Sequence, residues 1–265
     1  MKNKGIGITL IILLLAIVCC LIIFLVNYLK GGIKFKNGII NVTTKSSNVI
    51  LDRKFEIEDI KKIEITQNAG DIIFKEATND YIQMVIYGED ENDINVNLQE
   101  DKLTVAYTRR TTFTLFNIGN IKNDIIVFIP SSYSNEIDIK NDYGNCEIID
   151  LKDATVNIDS DAGNVELGKI KNVTIKCDYG NVEIKEILNK CDIKADCGNV
   201  EIGKISIQED SSIKSDLGNV DINETNDIYI DTDVDLGKIN IVQNNRDSEI
   251  TLRIKCDCGN VNVGK

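Results

Sequence analysis

Eight letters, CDYGNVEI at Cys177–Ile184, return with small changes as NDYGNCEI, ADCGNVEI, SDLGNVDI and CDCGNVNV. Their anchoring glycines are Gly144, Gly163, Gly180, Gly198, Gly218, Gly237 and Gly259, spaced 19, 17, 18, 20, 19 and 22 residues apart. An earlier unit is centred on Gly70 in IEITQNAGDIIF. A unit of this length cannot bury an apolar face alone, so it must stack on its neighbours. This repeat constrains the fold more than any other feature.

Position by position, the repeat reads as strand. Taking each glycine as zero, the residues at minus seven, five, three and one are apolar or small, as in Val173, Ile175, Cys177 and Tyr179. That period of two predicts a strand with one buried face, its buried side including the residue next to the glycine. Beyond the glycine the apolar positions move to plus two and plus four: Val182 and Ile184, Val200 and Ile202, Val220 and Ile222. A parity change of this kind requires a corner, and glycine takes the positive φ that a corner asks for. A third apolar touch at plus seven, at Ile170, Ile187 and Ile205, completes a coil of about 19 residues. The eight glycines are therefore the structural turns, and the fold class expected is all-β, a solenoid of stacked coils. Repetition here is a packing requirement and need not encode a repeated active site.

Ahead of the repeats, Ile6–Val26 runs 21 residues without a charge, enough to cross a bilayer as a helix. No small-residue cleavage site follows it, which favours an uncleaved anchor over a signal peptide. The expected organisation is a basic tail at 1–5, a transmembrane helix at 6–29, a juxtamembrane stalk at 30–49 and a β-solenoid at 50–265. Within the solenoid, strands and an insertion at 81–133 depart from the glycine template, and the regular repeats occupy 134–265. Residues 1–36 carry five lysines and no acid, so with a net charge of −12 for the whole chain the rest carries −17. So acidic a body repels phosphate backbones, and no nucleic-acid partner is expected. Lysines on both sides of the span leave its orientation open, and export of the body is the commoner arrangement.

The chain has no His and no Trp, which removes His-based triads, imidazole relays and His-rich zinc sites. Six cysteines outside the span, Cys146, Cys177, Cys191, Cys197, Cys256 and Cys258, fall where sibling repeats carry Val, Ala, Ser, Tyr or Leu. They read as small core residues, with disulfides the alternative.

Stacking turns the repeats into columns. Asp142, Asp161, Asp178, Asp196, Asp216, Asp235 and Asp257 form one. Asn145, Asn164, Asn181, Asn199, Asn219 and Asn260 form a second, broken by Lys238, and Glu147, Glu166, Glu183, Glu201 and Asp221 a third. Like charges one rung apart need an offset. Ca²⁺ at Asp142, Asp161, Asp178, Asp196 and Asp216 is one. The favoured alternative is the lysines four before the glycine, Lys140, Lys176, Lys194, Lys214 and Lys255, so no metal and no cofactor is expected. Evenly copied acids do not supply the two contrasting carboxylates of a glycosidase, and no catalytic residue is assigned.

The corner motif Asp-x-Gly-Asn-Val-Glu-Ile, with FEIEDIKKIEITQNAGDIIF and IIVFIPSSY (Ile125–Tyr133), resembles the bacterial β-strand repeat family labelled "putative adhesin", a domain of unknown function. The resemblance covers about residues 50–265. It implies a single-stranded right-handed β-helix, often behind one membrane segment, and a non-enzymatic module that binds an envelope or cell-surface ligand. Two alternatives accompany that reading: a self-assembling envelope scaffold and, less favoured, a carbohydrate-active β-helix enzyme. The scaffold reading starts from CDCGNVNVGK, which ends the chain on a strand and implies an open C-terminal coil suited to end-to-end homo-oligomers.

Overall fold

The structure, a computed structural model, describes residues 33–36, 39–42, 48–88, 90–108 and 123–264. The expected basic tail and transmembrane helix, residues 1–29, lie outside the described residues. Among the described residues no helix is long and apolar enough to cross a membrane. Two compact units are distinguished. The smaller contributes a ribbon of β1 (Ile33–Lys36) and β2 (Ile39–Val42), paired antiparallel.

The larger unit is all-β, a single sheet of 19 strands that curls around one core. Its first strands are β3 (Asn48–Glu56), β4 (Lys62–Gln67), β5 (Ile72–Glu76), β6 (Tyr81–Gly88), β7 (Ile94–Gln99), β8 (Lys102–Tyr107) and β9 (Ile125–Ile129). The regular repeats begin with β10 (Glu136–Tyr143), β11 (Cys146–Ile148), β12 (Leu151–Ala162), β13 (Val165–Tyr179) and β14 (Val182–Cys197). They continue with β15 (Val200–Ile205), β16 (Ser211–Leu217), β17 (Val220–Thr225), β18 (Tyr229–Leu236), β19 (Ile239–Ile241), β20 (Thr251–Cys258) and β21 (Val261–Val263).

Each repeat lays one segment before its glycine and one after it, giving two walls. The wall before the corner runs β8, β4, β10, β12, β13, β14, β16, β20, β18, all parallel. The wall after it runs β9, β5, β11, β13, β14, β15, β17, β21, β19, again parallel. Val182, Val200 and Val220 stand in register and fully buried, and Ile170, Ile187 and Ile205 form a second buried file. Parallel strands covered on one face by this core read as the period-two patterns of the repeats.

At the N-terminal end the parallel order stops. β6 pairs antiparallel with β9 and with β3, and β7 pairs antiparallel with β8. β6 and β7, drawn from the stretch that departs from the glycine template, close that end of the stack together with β3, which precedes the first repeat.

The C-terminal end corrects the expected open coil. β20 pairs with both β16 and β18, and β21 with both β17 and β19. The last coil in the chain is thus the second-to-last in space, slotted beneath a coil made before it. Charge favours this order: β20 sets Arg253 against Asp231 and Lys255 against Asp233 of β18. The terminal coil is β18–β19, where Ile239 is 49% exposed although its counterparts Val182, Val200 and Val220 are 0%. Its edge strand carries exposed Asp231, Asp233 and Asp235, and such a row of like charge blocks edge pairing with a second copy of the same strand.

A second expectation also fails, because the residue just before the glycine does not face the core. Tyr143, Tyr179, Leu217 and Leu236 are all exposed. The chain has begun its turn one residue early, so burial ends at minus three.

All eight corner glycines stack in one file, ordered Gly70, Gly144, Gly163, Gly180, Gly198, Gly218, Gly259, Gly237. Seven of them have φ between +131° and +158°, and Gly237, the outermost, does not. A Cβ added at any rung beyond Gly70 would collide with the carbonyl of the glycine beneath it. We expect Gly198→Ala to cost roughly 3 kcal/mol or more, since both the backbone conformation and the space forbid a methyl group. Chemical denaturation reads this as a lower midpoint, and an unchanged midpoint would refute the packing account.

Candidate functional site

The corner is built from backbone. Each glycine N–H donates to the carbonyl just before the next glycine in the stack: Gly144 to Ala162, Gly163 to Tyr179, Gly198 to Leu217 and Gly259 to Leu236, at 2.9 Å each. Two residues on, Cys146, Val165, Val182, Val200 and Val220 donate to the next layer's plus-one carbonyl, also at 2.9 Å. Between these bonds lies one N–H per layer, at plus one, that the asparagines satisfy. Asn164 N–H donates to Asn145 Oδ1 at 3.0 Å, Asn181 to Asn164, Asn199 to Asn181 and Asn219 to Asn199 at 2.9 Å, and Asn260 to Asn219 at 2.8 Å. Asp71 starts this ladder as acceptor for Asn145, and Lys238 N–H ends it on Asn260 at 3.0 Å. Lys238 is therefore no break. It occupies the one layer that has no N–H above it to satisfy.

Side chains three before the glycine close the corner from inside. Asn141 Nδ2 donates to the carbonyls of Gly70 and Gly144 at 3.1 and 3.0 Å, and Ser215 Oγ donates to Gly218 O at 3.2 Å. The thiols of Cys177 and Cys256 reach the same carbonyl row. All six described cysteines are free, with Cys146, Cys177, Cys191 and Cys256 buried. Burial pushes the Cys146 and Cys191 thiols up to about 12, which leaves them protonated and unreactive at neutral pH.

On the outer face of the first wall the Asp column meets its lysines. Lys176 pairs with Asp178 at 3.0 Å, Lys194 with Asp196 at 2.7 Å, Lys214 with Asp216 at 2.6 Å and Lys255 with Asp257 at 3.4 Å. The Asp216 carboxyl is held below the usual range, first by its hydrogen bond to Lys214. Four of the aspartates thus have a cation beside them. Among the described residues no group of three or more His, Cys, Asp or Glu side chains is placed to hold a metal ion.

The same face forms an open groove of about 630 Å³ across β4, β10, β12, β13 and β14. Each strand offers it two polar side chains, exemplified by Asp138 and Lys140, Asn157 and Asp159, and Thr174 and Lys176. On the second wall, Glu147, Glu166, Glu183, Glu201 and Asp221 stand in register, one per rung.

One acid was not singled out by the repeat pattern. Glu186 is 9% exposed and accepts from Lys169 Nζ at 2.6 Å, with Lys204 at 3.7 Å on its other side. Lys169, Glu186, Lys204 and Glu224 share one register, an alternating charge file. Its sequence signal is charge alternation at plus six, visible only once the coils are aligned. Lys169 is the chief cause of a Glu186 carboxyl held below its ordinary value.

These features define an all-β, solenoid-like protein whose parallel coils share a glycine corner and present repeated polar columns. The chain belongs to the Toastrack DUF4097 family, which it matches over residues 60–265. Among solved structures it is similar to a "putative adhesin" from Bacteroides fragilis, with a TM-score of 0.51, 16% identity, and coverage of 80% of this chain and 95% of that one. A "putative cell adhesion protein" from Clostridium sporogenes gives a TM-score of 0.39 at 13% identity, covering 83% and 99%. A "putative lipid binding protein" from Parabacteroides distasonis gives 0.40 at 14%, covering 80% and 96%. No curated protein matches the sequence.

Two measurements check the site's construction. Asn199→Ala removes the acceptor of the Asn219 N–H and should cost about 1 kcal/mol in denaturant melts, whereas Lys238→Asn, with no N–H above it, should cost nothing resolvable. For Glu186, whose folded pKa is depressed, the stabilisation is complete above the unfolded value near 4.3 and is lost as pH falls through the folded value. The melting difference between wild type and Glu186→Gln should therefore be largest near pH 7 and shrink towards pH 3; a difference independent of pH would count against the ion pair.

Proposed function

We infer that this chain is a non-enzymatic binding module of the bacterial envelope, held by the apolar segment 6–29 as a single-pass anchor with its solenoid outside the membrane. Its coils wind right-handed, the hand that parallel crossover connections overwhelmingly take. The observation that carries the reading is the groove on the first wall. It is long, open and lined by Lys, Asp, Asn and Thr side chains repeated at the rung spacing of about 4.8 Å. A surface of this kind offers many equivalent polar contacts to an extended hydrophilic ligand at the cell surface, and no single focus for bond breaking. Its most enclosed acid, Glu186, lies outside the groove and is engaged by lysine. The description of the Bacteroides fragilis neighbour as a putative adhesin agrees with this assignment. The scaffold alternative loses its motive, because the C-terminal coil lies inside the stack.

The groove variant Lys140→Ala/Lys176→Ala/Lys194→Ala should keep the wild-type melting midpoint to within a few degrees and lose about tenfold in retention of envelope material on the immobilised full chain. Equal retention by variant and wild type would remove the groove as the binding face. Protease added to intact cells should release the acidic body, and protection of the body from external protease would place it on the other side of the membrane.

A further inference from the structure

The residue before each corner glycine, exposed or half-buried in every layer, varies in a regular way once the layers are taken in spatial order. Four are large: Tyr143 and Tyr179 at 66% exposure, Leu217 at 54% and Leu236 at 69%. One rung below each stands a small residue, Ala69, Ala162, Cys197 and Cys258 respectively. The row thus alternates small and large without a fault over eight rungs. In chain order it does not, since Leu217 would be followed by Leu236 and the alternation would break. The pattern exists only because the last coil lies between two earlier ones, and core packing does not call for it, because these side chains are outside the core.

We propose that this row is the contact surface of an antiparallel homodimer, filled by a second copy of this chain about a two-fold axis. A row that begins small and ends large is complementary to its own reverse. Turned end for end, Leu236 meets the partner's Ala69, Tyr143 the partner's Cys258, Leu217 the partner's Ala162 and Tyr179 the partner's Cys197. A parallel copy would set large against large. Successive knobs stand two rungs, or about 9.6 Å, apart, which leaves a notch wide enough for an opposing side chain. Eight rungs make a strip about 38 Å long, bordered on its two sides by the Asp and Asn columns. Four of the seven flanking acids, Asp178, Asp196, Asp216 and Asp257, have a lysine at 3.4 Å or less, which lowers the charge cost of approach. The contact is isologous and closes on itself, so it yields dimers and not fibres.

Sedimentation of the full chain in detergent micelles should show a dimer whose dissociation constant rises at least tenfold for Tyr179→Arg or Leu217→Arg, with melting of the dilute, dissociated protomer unchanged because both sites are exposed in it. Exchanging the central pair, Tyr179→Cys with Cys197→Tyr, keeps large opposite small and should restore dimerisation that Cys197→Tyr alone abolishes. In a Cys19→Ser/Cys20→Ser background, a short bismaleimide should join the two protomers through Cys197 next to the axis. Cys258 and its symmetry mate lie about five rungs, or about 24 Å, apart and should not be joined. The dimer band should vanish in Cys197→Ser and persist in Cys258→Ser. A monomer at all concentrations, a dimer indifferent to the knob substitutions, or cross-linking through Cys258 would each overturn the proposal. Envelope retention measured on the Tyr179→Arg and Leu217→Arg variants, whose groove lysines are intact, separates this proposal from the groove reading, so either can fail without the other.

Discussion

Everything in this molecule depends on how closely one corner approaches the next. The glycine N–H of one layer bonds to the carbonyl before the next glycine, and the carbonyl of each glycine fills the space where a Cβ would stand on its neighbour. That approach sets the rung spacing, and the spacing aligns valine on valine and isoleucine on isoleucine into continuous buried files. Without a core of that continuity, no coil of about 19 residues would offset the entropy of ordering itself. The asparagine ladder follows from the same geometry, because the tight corner leaves one N–H per layer that only a side chain from below can reach.

Much of the fold was legible because period-two burial and a change of parity are direct physical consequences of a strand that turns. The two misreadings have equally direct causes. Extending the period of two up to the glycine placed Tyr143 and Tyr179 inside, although a chain that is turning no longer alternates about a flat sheet. Reading the coils in chain order placed Cys258 at an open end, although the order of pairing is set by which layers complement each other. A signal was present in the second case. Lys238 is the only plus-one residue among the regular repeats that cannot accept the next layer's N–H, which marks its layer as the last.

At the candidate site, columns could be written down from the sequence, but their state could not. Lys176 and Asp178 are two apart in one strand, and their ion pair depends on both side chains leaning along the same outward face. Glu186 was invisible for a different reason. Its partners Lys169 and Lys204 come from the coils on either side, 17 and 18 residues away, and they are level with it because all three stand six residues after their corner glycine. Polar surfaces built by stacking are therefore read best after the layers have been ordered, whereas the core is read best before.

The slotting of the final coil beneath its predecessor also bears on what fastens the end of the stack. β18 and β19 precede Thr251–Val263 in the chain, yet it is this later segment that bridges them to β16 and β17. Removal of Thr251–Val263 would therefore forfeit two layers instead of one and leave Ile222 and Val220 uncovered, which makes this inserted coil the latch of the stack.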